Sequence, residues 1–177
     1  MLAWITGGAA SGKSEYAERL AVSLHRRGGG PLCYLAAMLP TGAEAEERIR
    51  RHRALRAGKG FSTRECPFAR CLDEAPAGGT LLLECLSNLL ANERFEPQGS
   101  GEGALAAISG ALGRLVRRAG NLVVVTNRID ADGRAYAAGT QAYLRDLAAL
   151  DRIWAARADF AAEVVCSLPV VLRGVEP

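Results

Sequence analysis

The sequence predicts an α/β domain built on a mostly parallel sheet with helices on both faces. Apolar runs of four to six residues alternate with longer helical patterns, which marks parallel strands joined by crossover helices. The first run passes at once into a glycine-rich turn and then a helix, and no internal repeat interrupts the order. A length of 177 residues suits one domain, residues 1–177, with chain enough to bury a sheet between helical layers.

Leu2 to Thr6 is the first strand, and the helical stretch after the loop runs from about Lys13 to Arg27. Gly28-Gly29-Gly30-Pro31 ends it. Leu32 to Ala37 reads as a second buried strand. Pro40-Thr41 then opens a helix reaching about Arg56, with Thr41 and Glu44 in capping-box spacing. Gly58 to Arg70 reads as irregular. After the turn at Gly78-Gly79, Thr80 to Cys85 is a third strand, continued as helix from Leu86 to Arg94. Glu96 to Gly103 is the most linker-like stretch and is expected to be a mobile surface loop. Ala104 to Ala119 is a helix, Asn121 to Thr126 a fourth strand, and Thr140 to Ala158 a further helix. Glu163 to Ser167 and Val170 to Arg173 form two short closing strands joined across Pro169.

Bulk properties exclude several classes. Hydrophobic residues make up 49% of the chain, which is neither disordered nor fibrous in composition. No apolar run reaches the roughly 18 residues of a membrane span. The N-terminus reads directly as a strand and lacks a basic leader region, so a cytoplasmic location is expected. The five cysteines are Cys33, Cys66, Cys71, Cys85 and Cys166. No pair has C-x-x-C spacing, which argues against a disulfide framework or zinc knuckle. Cys33, Cys85 and Cys166 sit in or beside strand-like runs and read as small buried hydrophobes. A net charge of +3 is too weak to imply nucleic acid. The basic helix before Arg56 would permit RNA contact, but no aromatic-interleaved surface accompanies it.

Gly7-Gly8-Ala9-Ala10-Ser11-Gly12-Lys13-Ser14 fits G-x-x-x-x-G-K-[ST] without mismatch. Glycines let the backbone turn tightly so that successive N–H groups face phosphate oxygens. The loop then feeds a helix N-terminus, which favours an anion. Lys13 would reach the β and γ phosphates, and the Ser14 hydroxyl would join a Mg²⁺ shell. A chance glycine-rich turn is the alternative, but this one lies where a strand must become a helix. The basic residues are otherwise almost all arginine; Lys13 and Lys59 are the only lysines. A compact ammonium is therefore suggested at the loop. A P-loop Mg²⁺ also needs a carboxylate at the end of a neighbouring strand, and Glu84 closes the run Leu81-Leu82-Leu83. An ordinary polar strand terminus would look the same.

The chain has two histidines. His25 lies near the end of the first helix, where the dipole favours it. His52 has Arg48 and Arg56 at i−4 and i+4, so one helix face reads Arg-His-Arg. Such a face offers a nucleophile with two phosphate-binding guanidiniums beside it. It is equally the pattern of a solvated basic face that contains a histidine.

Four features together resemble a known family. They are Thr6 to Ser14, the spacing Arg-Ile-x-x-His-x-x-x-Arg at Arg48 to Arg56, Thr-x-Glu at Thr63 to Glu65, and Leu-Leu-Glu-Cys-Leu-Ser-Asn-Leu-Leu from Leu82 to Leu90. In this order they resemble the bifunctional adenosylcobinamide kinase/adenosylcobinamide-phosphate guanylyltransferases of cobalamin biosynthesis, covering about the first half of the chain. The resemblance implies a single-domain P-loop, RecA-like sheet and a small homo-oligomer. It implies two reactions: phosphorylation of adenosylcobinamide by a nucleoside triphosphate, ATP or GTP with Mg²⁺, then GMP transfer from GTP through a guanylylated histidine. The nucleophile's position falls on His52. Glu65 and Glu84 fall on nucleotide-contacting acidic positions, and Ala36-Ala37-Met38 and Arg53-Ala54-Leu55-Arg56 on the lining of the GTP site.

The second half departs from the family. Its Thr-Asn-Glu-Val-Gly and following turn are here Thr126-Asn127-Arg128-Ile129-Asp130-Ala131-Asp132-Gly133-Arg134, which reverses a charge and removes the turn's glycine and proline. Asp130 or Asp132 is the candidate replacement carboxylate. The pair Arg145-Asp146 matches, while the family's following Gly and Asn appear as Ala149 and Asp151 or Arg152. Because that strand end abuts the nucleotide site in such folds, two other readings remain: a plain P-loop kinase of a small hydroxylated metabolite, and a degenerate nucleotide-binding member.

Overall fold

The Thr80–Glu84 strand (β4) shows how the sequence makes this sheet. Leu82 packs on one side with Ile5, Tyr16, Leu20, Val123 and Phe160, while Leu81 and Leu83 pack on the other with Trp4, Leu35, Leu86, Leu112 and Trp154. Successive strand residues point to opposite faces. A strand covered on both faces must therefore be apolar where it is covered, as this one is from Leu81 to Leu83.

The structure, a computed structural model, describes residues 1–129 and 136–177, and of Glu44, Arg48 and Leu55 it describes the backbone alone. Asp130, Asp132 and the rest of that turn thus lie outside the described residues. The other strands are β1 (Leu2–Gly7), β2 (Leu32–Ala36), β3 (Ser62–Glu65), β5 (Asn121–Val125), β6 (Phe160–Val165) and β7 (Leu168–Arg173). They form a seven-stranded sheet ordered β3-β2-β4-β5-β1-β6-β7. All neighbouring pairs are parallel except β6 with β7. Helix α1 (Lys13–Gly28) covers one face. Helices α3 (Leu86–Phe95), α4 (Ala104–Arg118) and α5 (Ala138–Ala155) cover the other. Helix α2 (Ala43–Arg56) stands at the sheet's carboxyl edge. No helix among the described residues is long and apolar enough to cross a membrane.

Several expectations are corrected. Ser62–Glu65 is not irregular but a parallel edge strand, and its exposed, polar residues hide it from hydropathy. Helix α2 begins at Ala43 with Gly42 as its cap, at φ 87°, so Thr41 caps nothing. The closing strands turn at Cys166-Ser167, both with positive φ (50° and 66°), while Pro169 pairs with Val164 inside β7. Left-handed geometry at both central residues suits the right-handed twist of a two-residue hairpin. That turn leaves Cys166 exposed, unlike Cys33 and Cys85, which are buried. It also packs on the glycine-rich loop: Ser167 N donates to the Ser11 carbonyl at 2.8 Å. A Cβ on Gly12 would lie 2.6 Å from Ser167 Oγ, so only glycine fits there.

The linker-like stretch is tied down. The Glu93 carboxylate, 2% exposed, accepts from Ala69 N (2.7 Å), Ser100 N (2.9 Å) and Ser100 Oγ (2.6 Å). Glu93→Ala leaves these donors unpaired and is expected to cost about 2–4 kcal/mol in urea unfolding. Proteolytic nicking between Glu96 and Gly103 should accelerate with it.

Candidate active site

The strand register lays out the site. Glu65 aligns with Ala36, Ala36 with Glu84, Glu84 with Val125, and Val125 with Ile5, which places one row across five strands at their carboxyl ends. Ligands of open parallel sheets bind at that edge. The glycine-rich loop leaves β1 one step further on. Ala10 (φ 54°) and Gly12 (φ 89°) turn it left-handed before α1 begins.

Lys13 is buried at 8% exposure and its Nζ donates to the Gly8 carbonyl at 2.9 Å. Burial pulls its pKa down, opposed by the neighbouring Cys85 and Glu84. A bound phosphate would favour the charged form further. The other lysine, Lys59, pairs with Glu18 of α1 at 2.5 Å, and burial pushes the Glu18 carboxyl up.

Glu84 is the centre of the cluster, 9% exposed. Ser14 Oγ donates to its Oε1, and Tyr34 OH donates to its Oε2 at 3.1 Å. His52 Nδ1 stands 3.9 Å from Oε1. Burial first, and then the Glu84 charge, hold the Tyr34 hydroxyl well above the usual phenol range. Arg56 lies flat over the Tyr34 ring, its guanidinium carbon 3.5 Å from the centroid. At 6% exposure its Nε and Nη1 find no partner among the described residues. Arg53 and Glu65 pair at 2.9 Å near the surface.

These groups line one cavity of about 740 Å³. Ala9 to Ser14, Ala36, Met38, His52, Arg53, Arg56, Glu65 and Glu84 all reach it. Gly7 and Gly8 contribute backbone carbonyls, to Arg128 N and Lys13 Nζ. Ala37 does not reach the cavity but is buried in the core, and Ala54 is exposed away from it. The side chains of Arg48 and Leu55 lie outside the description. Sequence reasoning missed Glu15, Tyr34, Ile49, Arg51, Cys85 and Asn88 as lining residues, whereas Asn127, Arg128 and Ile129 belong to the segment it set beside the nucleotide site. A polar-tipped aromatic inside the buried run of β2 was a signal for Tyr34, because its hydroxyl must find a partner.

Comparison with known proteins gives the family. The family model described as cobinamide kinase / cobinamide phosphate guanyltransferase matches residues 3–172. The chain belongs to that family. It is 32% identical over 175 residues, 96% of each chain, to the bifunctional adenosylcobalamin biosynthesis protein CobP of Pseudomonas aeruginosa. Among solved structures, the ATPase domain of G40P shares the fold at a TM-score of 0.53 and 11% identity, over 92% of this chain and 68% of that one. The fold is the P-loop, RecA-like sheet, and this member of the cobinamide kinase / guanyltransferase family is a nucleotide-using transferase of cobalamin biosynthesis.

In this family member the Tyr34 ring and its hydroxyl make separate contacts, one with Arg56 and one with Glu84. Tyr34→Phe keeps the face under Arg56 and is expected to weaken nucleotide binding less than about threefold. Tyr34→Ala removes a desolvated cation–π contact of about 2 kcal/mol and should weaken it more than about tenfold. Titration calorimetry with GTP reads both.

Proposed function

We propose that this single cavity performs both reactions, phosphorylating adenosylcobinamide and then transferring GMP to the product through His52. The 3.9 Å approach of His52 Nδ1 to the Glu84 carboxylate carries the reading, because it sets the imidazole against the glycine-rich loop rather than in solvent. With Nδ1 facing Glu84, Nε2 is the nitrogen turned to the ligand. A catalytic contact of this length tightens when the substrate is bound.

In the first reaction, the loop amides and Lys13 hold the triphosphate of ATP or GTP. The acceptor's aminopropanol oxygen attacks the γ-phosphorus, the bond to the β-phosphate oxygen breaks, and a nucleoside diphosphate leaves as the hydroxyl proton is lost. In the second, His52 Nε2 attacks the α-phosphorus of GTP and pyrophosphate leaves. A phosphate oxygen of the phosphorylated acceptor then attacks that phosphorus, the P–N bond breaks, and a pyrophosphate linkage forms with the imidazole restored. Arg56, stacked on Tyr34 with unpaired N–H groups, is placed to take phosphate oxygens. Arg53 and Glu65 stand at the base-facing end.

Mg²⁺ suits this donor set, since the Ser14 hydroxyl and the Glu84 carboxylate bring two hard oxygens together beside Lys13. When bound, the ion neutralises triphosphate charge. Glu84 Oε1 faces both Ser14 and His52, so one carboxylate serves either the ion or the imidazole. A corrinoid acceptor is far larger than a nucleotide and calls for an open groove shared between subunits. The exposed Leu168, Val170 and Leu172 of edge strand β7 support a homo-oligomer. A monomeric, fully active enzyme overturns that part.

Intact-mass measurement after incubation with GTP and Mg²⁺ tests the reading. The parent should gain an acid-labile GMP adduct and His52→Ala none, while His52→Ala still binds GTP. An adduct retained by the variant, or absent from the parent, refutes His52 as the carrier.

A further inference from the structure

We propose that the cavity wall formed by Asn88, Asn127, Arg128 and Ile129 is the acceptor subsite, where Arg128 binds the phosphate monoester of the phosphorylated acceptor. The proposal rests on the shared-cavity reading above and adds a binding site to it.

The sheet order divides the cavity. The phosphate cradle, Ser11 to Ser14, lies at the end of β1. Beyond Glu84 on one side, β2, β3 and α2 bring Met38, Ile49, Arg53 and Glu65, apolar faces with a polar end that suit a base and sugar. The segment after β5, which lies between β4 and β1, forms the remaining wall. A donor nucleotide that fills the cradle and the α2 side leaves that wall for the second substrate.

The wall is braced for binding. Arg128 N donates to the Gly7 carbonyl at 3.1 Å, which ties it to the root of the glycine-rich loop. Asn127 Nδ2 donates to Ser87 Oγ at 2.6 Å, and Tyr143 OH donates to the Ser87 carbonyl at 3.1 Å, joining the wall to α3 and α5. Its cation is Arg128: of the other cations lining the cavity, Lys13 and Arg56 face the cradle, and Arg51 and Arg53 stand on α2. Arg128 Nη1 meets Glu163 Oε1 at 2.8 Å with the arginine side chain 54% exposed. With the arginine half exposed, a doubly charged phosphate, which the planar guanidinium fits in two-point fashion, can compete with Glu163 for it.

The two acceptors differ at the atoms that would meet this residue. A neutral hydroxyl needs no cation to bind, whereas a phosphate monoester does. Arg128→Ala and Arg128→Lys, compared with the parent, separate the cases. The expected result is that Arg128→Ala still acquires GMP from GTP and keeps its KM for adenosylcobinamide within about twofold. Its KM for adenosylcobinamide phosphate should rise about tenfold or more, the scale of a lost charged hydrogen bond. Arg128→Lys should recover part of that rise. Equal change in both KM values, no change in either, or loss of GMP uptake with Arg128→Ala overturns the proposal. A parent that neither acquires nor transfers GMP overturns the shared-cavity reading instead, so the two failures are distinguishable.

Discussion

Glu84 terminates an apolar strand in the middle of the sheet, and the geometry of the site follows from keeping its carboxylate satisfied. A carboxylate at 9% exposure cannot rely on water and needs donors from the protein. Ser14 supplies one from the first turn of α1, and Tyr34 supplies another from β2. Those hydrogen bonds fix the glycine-rich loop, the helix behind it and the neighbouring strand to one point. Tyr34, held by its hydroxyl, presents its ring face to Arg56 and so draws in the end of α2. Four elements meet because one acidic group sits where hydrophobic packing stops.

The same cavity carries polar atoms that the protein leaves unpaired. Arg56 Nε and Nη1 and Ser11 Oγ have no partner among the described residues. Burying such donors costs stability unless a ligand meets them. Lys13 is similar, with burial working against its charge while only a carbonyl and nearby negative charge oppose it. On the proposed reading each group gains from an incoming polyphosphate, because its donors stand where phosphate charge would arrive.

Much of this was legible in the sequence because it depends on local pattern. Gly7 to Ser14 could be recognised from spacing alone, and Glu84 from its place at the end of Leu81-Leu82-Leu83. What escaped depends on long-range packing or on residues without hydropathic signal. Ser62–Glu65 is a strand because it pairs with β2, not because its polar residues prefer one. The Cys166-Ser167 turn reaches the loop from the other end of the chain, and no sequence rule connects residue 167 with residue 12. Arg128 was visible as a departure from the family pattern, yet its position on the cavity wall follows only from the Gly7 and Glu163 contacts.

Helix α2 shows how such a site can serve two chemistries. Among its described side chains Arg56 alone is buried, and no apolar stripe binds the helix to the sheet. A helix that is polar all round owes its place to specific contacts rather than to a core. Here those contacts are Arg56 on Tyr34, Arg53 on Glu65 and His52 toward Glu84. Each is an interaction that a nucleotide's phosphates, or a cation bound with them, would compete for or strengthen. The glycine-rich loop, by contrast, is braced by the strand beneath it and by the β6–β7 turn. The cradle proposed for both reactions is therefore built into rigid packing. The histidine proposed to carry GMP in only one of them is mounted on an arm whose position is set by charge.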